Sequence, residues 1–221
     1  MTILRYDTTR YPFREAVARA LGMTPDAELE LIHEQLDMKG AYYPVLSRET
    51  DQSTGWHRRF YSAWDHPGGL KGIYMAFLAN VVGPHHADQA PLLNQRIPTF
   101  RVHLPWNRAI GEFHRDVDYA HQAEEVNWWV PVTEARRTAT VWVESEPWRG
   151  DHQPMELGYG EVLVFSGALL EHGNQINREW MTRVSFDFRV LAESALREDG
   201  RRSISIGMPM TIGGYWERLQ P

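Results

Sequence analysis

Near residue 96 the apolar positions change their spacing, from a helical period to alternation with polar residues. Before that point PFREAVARAL sets Phe13, Val17 and Leu21 on one stripe. Thr24-Pro25-Asp26 then opens a second run with Leu29, Ile32 and Leu36 as its apolar face, so residues 12–38 are expected to be helical. The stretch GAYYPVLSRETDQSTG is polar and irregular, and GLKGIYMAFLANVV predicts a further helix over 69–82 that stops before Gly83-Pro84. After residue 96, β-branched and aromatic residues alternate with polar ones between Gly or Pro breaks. This predicts strands at RIPTFRVHLP, VNWWVPVT, TATVWVES, GEVLVFSG and TRVSFDFRV. No repeat or low-complexity linker divides the chain. The expected architecture is therefore one domain over 1–221, mainly β with N-terminal helices: a largely helical support over 1–95, a β-barrel core over 96–190 that carries the site, and a C-terminal extension over 191–221. A double-sheet barrel of the jelly-roll or cupin-like sort is the economical form for that core.

Composition narrows the partners more than the fold. A chain of 221 residues buries a sizeable core; 43% apolar and 24% charged residues with a net charge of −6 describe a soluble protein without the basic surplus of a nucleic-acid binder. There is no cysteine, which excludes disulfides, thiolate metal sites and cysteine nucleophiles, and fits a reducing cytoplasm. The start MTILRYDTTRYPF lacks the basic and apolar regions of a secretory signal, and no window approaches a membrane span, so a cytoplasmic protein is expected.

The stretch GEFHRDVDYAHQ, residues 111–122, concentrates candidate metal ligands. His114 and Asp116 are one residue apart, so on an extended strand both project from the same face. The spacing alone means little, because ten histidines and 29 acidic residues generate about one such pair by chance, and HHAD at 85–88 supplies a rival in His86 and Asp88. What separates the two is the company downstream: GEVLVFSGALLEHGNQ gives a strand, a turn and His172, and Arg183 follows within TRVSFDFRV. Two imidazoles and a carboxylate form the facial triad that holds non-haem Fe(II), leaving three adjacent positions for a bidentate cosubstrate and dioxygen. Strand 182–190 puts Val184, Phe186 and Phe188 on one face and Arg183, Ser185, Asp187 and Arg189 on the other. A guanidinium at 183 can grip a carboxylate in bidentate fashion, with the Ser185 hydroxyl adding a bond; the bland alternative is a solvated face of an antiparallel sheet.

The neighbours sort around this choice. A helical reading would instead align His114, Asp118 and His121, but Val117, Tyr119 and Ala120 give that helix no apolar seam. Asp118 is read as an outer or surface group, and His85, His86, His121 and His152 as non-ligands. Asn127 shares a strand face with Trp129, where its amide can hydrogen-bond cosubstrate or substrate, while Trp128 and Val130 face the other way. Arg101 alternates with Thr99 and His103 and is a candidate second contact for an anion. Thr140 and Trp142 share a face and are candidates to line the same cavity.

The order His114-x-Asp116, His172, Arg183-x-Ser185 resembles the Fe(II)/2-oxoglutarate-dependent dioxygenase superfamily, and the wording FHRDVDYAHQAEEVNWWVPVT resembles its StrG-like members from streptomycin biosynthesis, over roughly 96–190. The resemblance implies a double-stranded β-helix with iron held by His114, Asp116 and His172. It also implies 2-oxoglutarate on that iron with its distal carboxylate against Arg183 and Ser185, and dioxygen as co-reactant. The implied reaction oxidises a polar small molecule of specialised metabolism, most simply by hydroxylation, and releases succinate and carbon dioxide. Asp116 completes the ligand set where a glycine or alanine would open a place for halide, so halogenation is not expected. The competing expectation is a metal-binding cupin-like isomerase or small-molecule binder that does not use 2-oxoglutarate, and the Arg183-Ser185 pair is what separates the two.

Overall fold

Each of the five strands expected from alternation forms in the computed structural model, which describes residues 1–35, 54–67, 69–107, 109, 112–203 and 207–220. In chain order the strands are β1 (Thr2–Arg5), β2 (Leu92–Gln95), β3 (Thr99–His103), β4 (Val126–Pro131), β5 (Val141–Val143), β6 (Gln153–Pro154), β7 (Glu161–Phe165), β8 (His172–Asn174), β9 (Arg183–Ala192) and β10 (Trp216–Arg218). They build a seven-stranded sheet ordered β1-β7-β4-β9-β2-β10, with β3 also on β9, and a three-stranded sheet ordered β6-β5-β8. Every pairing is antiparallel.

The ten residues of β9 organise the molecule, because both of their faces are buried and do different work. Val184, Phe186, Phe188 and Val190 enter the main core together with the helices. Phe13 of α1 (Phe13–Ala20) meets Phe186 edge-on at 5.0 Å, and Tyr74 meets Phe188 at 5.1 Å. The opposite face turns Arg183, Asp187 and Arg189 into a hollow whose other side is built by β5 and β8 of the smaller sheet. The helices thus cover one face of the large sheet, and the polar chemistry sits between the two sheets.

The helical half departs from its sequence reading in three places. Leu29–Gln35 forms a 3-10 helix rather than a second α-helix opened at Thr24. Leu36 and the rest of the polar stretch up to residue 53 lie outside the described residues. An unforeseen helix, α2 (Gly55–Ala63), starts from Thr54, whose side chain and backbone both engage the His57 ring in a capping box. Finally, α3 (Leu70–Phe77) does not stop before Gly83-Pro84. It passes through a π-turn over Leu78–Val82 into a short α4 (Gly83–His85), where Pro84 falls in the first turn and its missing N–H is least costly. Two strands, β1 and β2, also precede residue 96. Among the described residues no helix is long and apolar enough to cross a membrane.

Candidate metal centre

His114, Asp116 and His172 come together although the last two are 56 positions apart in the chain. The convergence is made by the backbone: His114 and His172 exchange both N–H···O=C bonds, at 3.0 and 2.9 Å, in an isolated antiparallel bridge. Gly173 permits this approach, since a Cβ there would lie 2.9 Å from the Phe113 backbone. Asp116 does not continue an extended strand as expected; it begins a 3-10 helix, Asp116–Tyr119, and its N–H donates to Gly167 O at 2.9 Å. His114 in its β-bridge and the extended Arg115 between the pair keep the i, i+2 relation, and the turn starts only at Asp116.

The donor atoms face one another. Asp116 Oδ1 is 3.4 Å from His114 Nε2 and 3.7 Å from His172 Nε2. Two ligands about 2.1 Å from a cation and at right angles are roughly 3 Å apart, so a small contraction suits a bound ion. Each imidazole is oriented by its other nitrogen: His114 Nδ1 lies 2.6 Å from Glu112 O and His172 Nδ1 lies 3.0 Å from Leu170 O. A carbonyl can only accept, so Nδ1 carries the proton and Nε2 presents its lone pair. Burial lowers the pKa of His172 against the opposing pull of Asp116, which favours the neutral ring a metal needs.

Asp116 is held just as firmly from behind. Its Oδ2 accepts Asn127 Nδ2–H at 2.8 Å and Arg189 Nη2–H and Nε–H at 2.8 and 3.0 Å, leaving Oδ1 toward the histidines. Burial pushes its carboxyl up, but the Arg189 guanidinium holds it well below the usual carboxylate range. Arg189 is in turn fixed by Tyr215 Oη at 3.1 Å, with Glu125 3.8 Å and Asp187 3.9 Å away. His121 does not take part in an alternative triad; its Nδ1 lies 2.7 Å from Glu125 Oε2, while Asp118 is exposed and accepts the Arg115 N–H. Ala120 ends the turn in a left-handed conformation, so no helix aligns those three residues. The HHAD rival is likewise no site: His86 accepts the Trp128 indole N–H, and Asp88 is exposed.

The remaining candidates distribute around the hollow. Arg183, 2% exposed, lines it and donates to Asn174 Oδ1 at 2.7 Å. Ser185 shares that strand face and is fully buried, and its Oγ has no hydrogen-bond partner among the described residues. Arg101 lines the hollow from β3 but its guanidinium is engaged by Asp187 Oδ1 at 3.0 Å. Asn127 also faces in, although its donor nitrogen serves Asp116, a task the sequence reading did not assign. Trp129 lines the hollow as expected, and Trp128 joins the main core. On β5 the parity is reversed: Val141 reaches the hollow, whereas Thr140 Oγ1 is turned to Met155 O and Trp142 is absent from the lining. Sequence reasoning missed Arg189, Glu125 and Asn174 as parts of the site; the available signal was two arginines and an aspartate on one face of a strand whose other face is wholly apolar.

Over nearly its whole length the chain is similar to the streptomycin biosynthesis protein StrG of Streptomyces griseus, with 40% identity over 218 residues that cover 99% of this chain and 98% of that protein. The likeness read from residues 96–190 thus extends to the N-terminal helices. No protein-family profile matches. The fold is similar to that of the non-haem monooxygenase ThoJ in a nickel complex, with a TM-score of 0.51 and 14% identity over 98% of this chain and 80% of that one. It is similar also to CytC3 with Fe(II) and α-ketoglutarate, with a TM-score of 0.51 and 11% identity over 100% of this chain and 92% of that one.

Proposed function

We propose, from the premise that the chain belongs to the family of the streptomycin biosynthesis protein StrG, that it is a non-haem Fe(II)- and 2-oxoglutarate-dependent oxygenase of specialised metabolism. The observation that carries this reading is the meeting of His114, Asp116 and His172, with both histidines lining a hollow that the buried Arg183 also lines. The donor set fits iron: two neutral imidazoles and one carboxylate, each oriented by a hydrogen bond on its far side. Arg183, which lines the hollow, fits the distal carboxylate of a dicarboxylic keto acid because it supplies a buried positive charge; the Ser185 hydroxyl is buried on the same strand face but is not among the lining residues, and would have to turn toward the ligand to add its hydrogen bond. When bound, iron, 2-oxoglutarate and dioxygen supply the oxidising power, with succinate and carbon dioxide as co-products.

The chain's own residues then hold and orient. Asn127 and Arg189 keep Asp116 ionised and aimed at the metal position. Trp129 and Phe165 wall the hollow and exclude water. The two sheets that enclose it are read as the halves of a double-stranded β-helix. A groove of about 330 Å³ at the rim, lined by Glu112, Phe113, Asn174, Ile176 and Arg178, is the approach for a polar small-molecule substrate; Asn174 belongs to both groove and hollow. The test is succinate formation from 2-oxoglutarate by the purified protein with added Fe(II), without substrate. His172→Ala is expected to abolish it in a folded protein, and undiminished turnover in that variant refutes the assignment.

A further inference from the structure

Behind the metal centre, Glu144, His152 and Glu171 each offer a donor atom within 4.8 Å of the others, a composition that could itself hold an ion. That space is already served by the guanidinium of Arg115. Its Nη2 donates to Glu144 Oε1 at 2.9 Å, its Nη1 to Glu171 Oε1 at 3.4 Å and its Nε to Leu169 O at 3.1 Å, and the Trp148 ring lies 3.8 Å from its Cζ. Glu144 is fully buried and saturated: Oε1 also accepts the Glu171 N–H at 2.7 Å and Oε2 the Gly150 N–H at 3.1 Å. Burial alone pushes its carboxyl up, but these N–H donors with that of Trp148 bring it down to about 2. The cluster is an internal ion pair with its lone pairs filled, not a set of donors awaiting a cation.

What the bonds connect gives the cluster its meaning. Arg115 stands between His114 and Asp116 in the chain, and Glu171 immediately precedes His172. One carboxylate therefore grips both ligand-bearing segments from behind, while the His114–His172 backbone bridge joins them in front. Glu144 is itself anchored in the smaller sheet, following Val143, which pairs with His172, and donating its N–H to Glu171 O at 2.9 Å. We propose that Glu144 and Arg115 are positioning residues of the metal centre: their ion pair sets the separation of the two imidazoles and hence the affinity and geometry of the bound metal. The inference rests on reading His114, Asp116 and His172 as metal ligands, and does not depend on 2-oxoglutarate.

The experiment is titration of the purified full-length apoprotein with Co(II), read by equilibrium dialysis and by the visible absorption that reports coordination geometry. Wild type is expected to take one Co(II) per chain. Glu144→Ala and Arg115→Met are expected to bind it roughly 10- to 100-fold more weakly, with an altered spectrum, while their far-UV circular dichroism remains that of a folded protein. Glu144→Gln, which keeps the Oε1 acceptor, should fall between them and wild type, and carries the comparison with Arg115→Lys if the harsher variants do not fold. Glu146→Ala, an exposed acid of the same loop, is the unchanged control. Folded variants with wild-type affinity and spectrum overturn the proposal, and so does a second equivalent of Co(II) that disappears in His152→Ala. Absence of Co(II) binding by wild type would overturn the ligand reading itself, a failure told apart from loss of the clamp alone.

Discussion

Arg189 offers a sharp test, because its guanidinium is the positive charge against which Asp116, Glu125 and Asp187 are arranged at 2.8, 3.8 and 3.9 Å. Arg189→Met keeps the aliphatic stem and deletes the charge, leaving a carboxylate that is 2% exposed with Asn127 as its remaining donor. Breaking a buried ion pair from one side costs roughly 3–5 kcal/mol, and the two further acids place this site toward the upper end. At about 2–4 °C per kcal/mol for a chain of this size, the metal-free variant should melt roughly 6–20 °C below wild type. The assay is thermal unfolding of both apoproteins at neutral pH by circular dichroism. Arg189→Met/Asp116→Asn should recover roughly 1–3 kcal/mol of the loss, but not all, since Glu125 and Asp187 remain. A melting temperature within about 2 °C of wild type, or a double variant no more stable than the single one, would show that the pair does not hold Asp116 as described.

Other outcomes follow from the same geometry. Arg183→Ala should raise the 2-oxoglutarate requirement roughly 10- to 100-fold while moving the Fe(II) requirement little; equal shifts in steady-state turnover would reject the anchor. Gly173→Ala forces a methyl against the Phe113 backbone and should cost about 1–3 kcal/mol and weaken Co(II) binding, and a variant with wild-type values of both would mean that the contact yields freely. Burial, aided by Arg183, brings His103 down to about 3, so between pH 6.5 and about 3 the unfolded chain binds a proton the native ring refuses. Stability from this group is present above pH 6.5 and is lost as pH falls through that window. His103→Asn should therefore flatten the acid slope of unfolding free energy by up to about one proton, and an unchanged slope would place the ring in water.

Much of the β architecture was legible because its long strands announce themselves: β9 alternates polar with large apolar residues from Arg183 to Val190, and β4 is rich in aromatic and β-branched residues. β8 was not, because His172-Gly173-Asn174 carries no period of its own and becomes a strand only by pairing with Val141–Val143. The Gly83-Pro84 stop misled because a π-turn absorbs it. In the candidate site, residue type and order singled out His114, Asp116 and His172, three residues that the fold brings together. The extended His-x-Asp reading holds through His114 and Arg115, but the chain turns at Asp116 instead of continuing a strand. Of the three arginines on the hollow, only their partners tell them apart: Arg101 is engaged by Asp187 and Arg189 by Asp116, and such long-range pairings leave no mark on spacing.

Because hydrogen bonds from the protein itself already fix all three donors, metallation needs little rearrangement of the fold, and the cradle has few means of refusing a divalent ion of similar size. Nitrogen and oxygen sites of this kind favour nickel and copper over iron on intrinsic affinity. On the proposed reading, the cation that fills the cradle then depends on the pool of free metals where the protein matures as well as on the geometry of its donors, so preparations from different hosts should differ in metal content more than in shape.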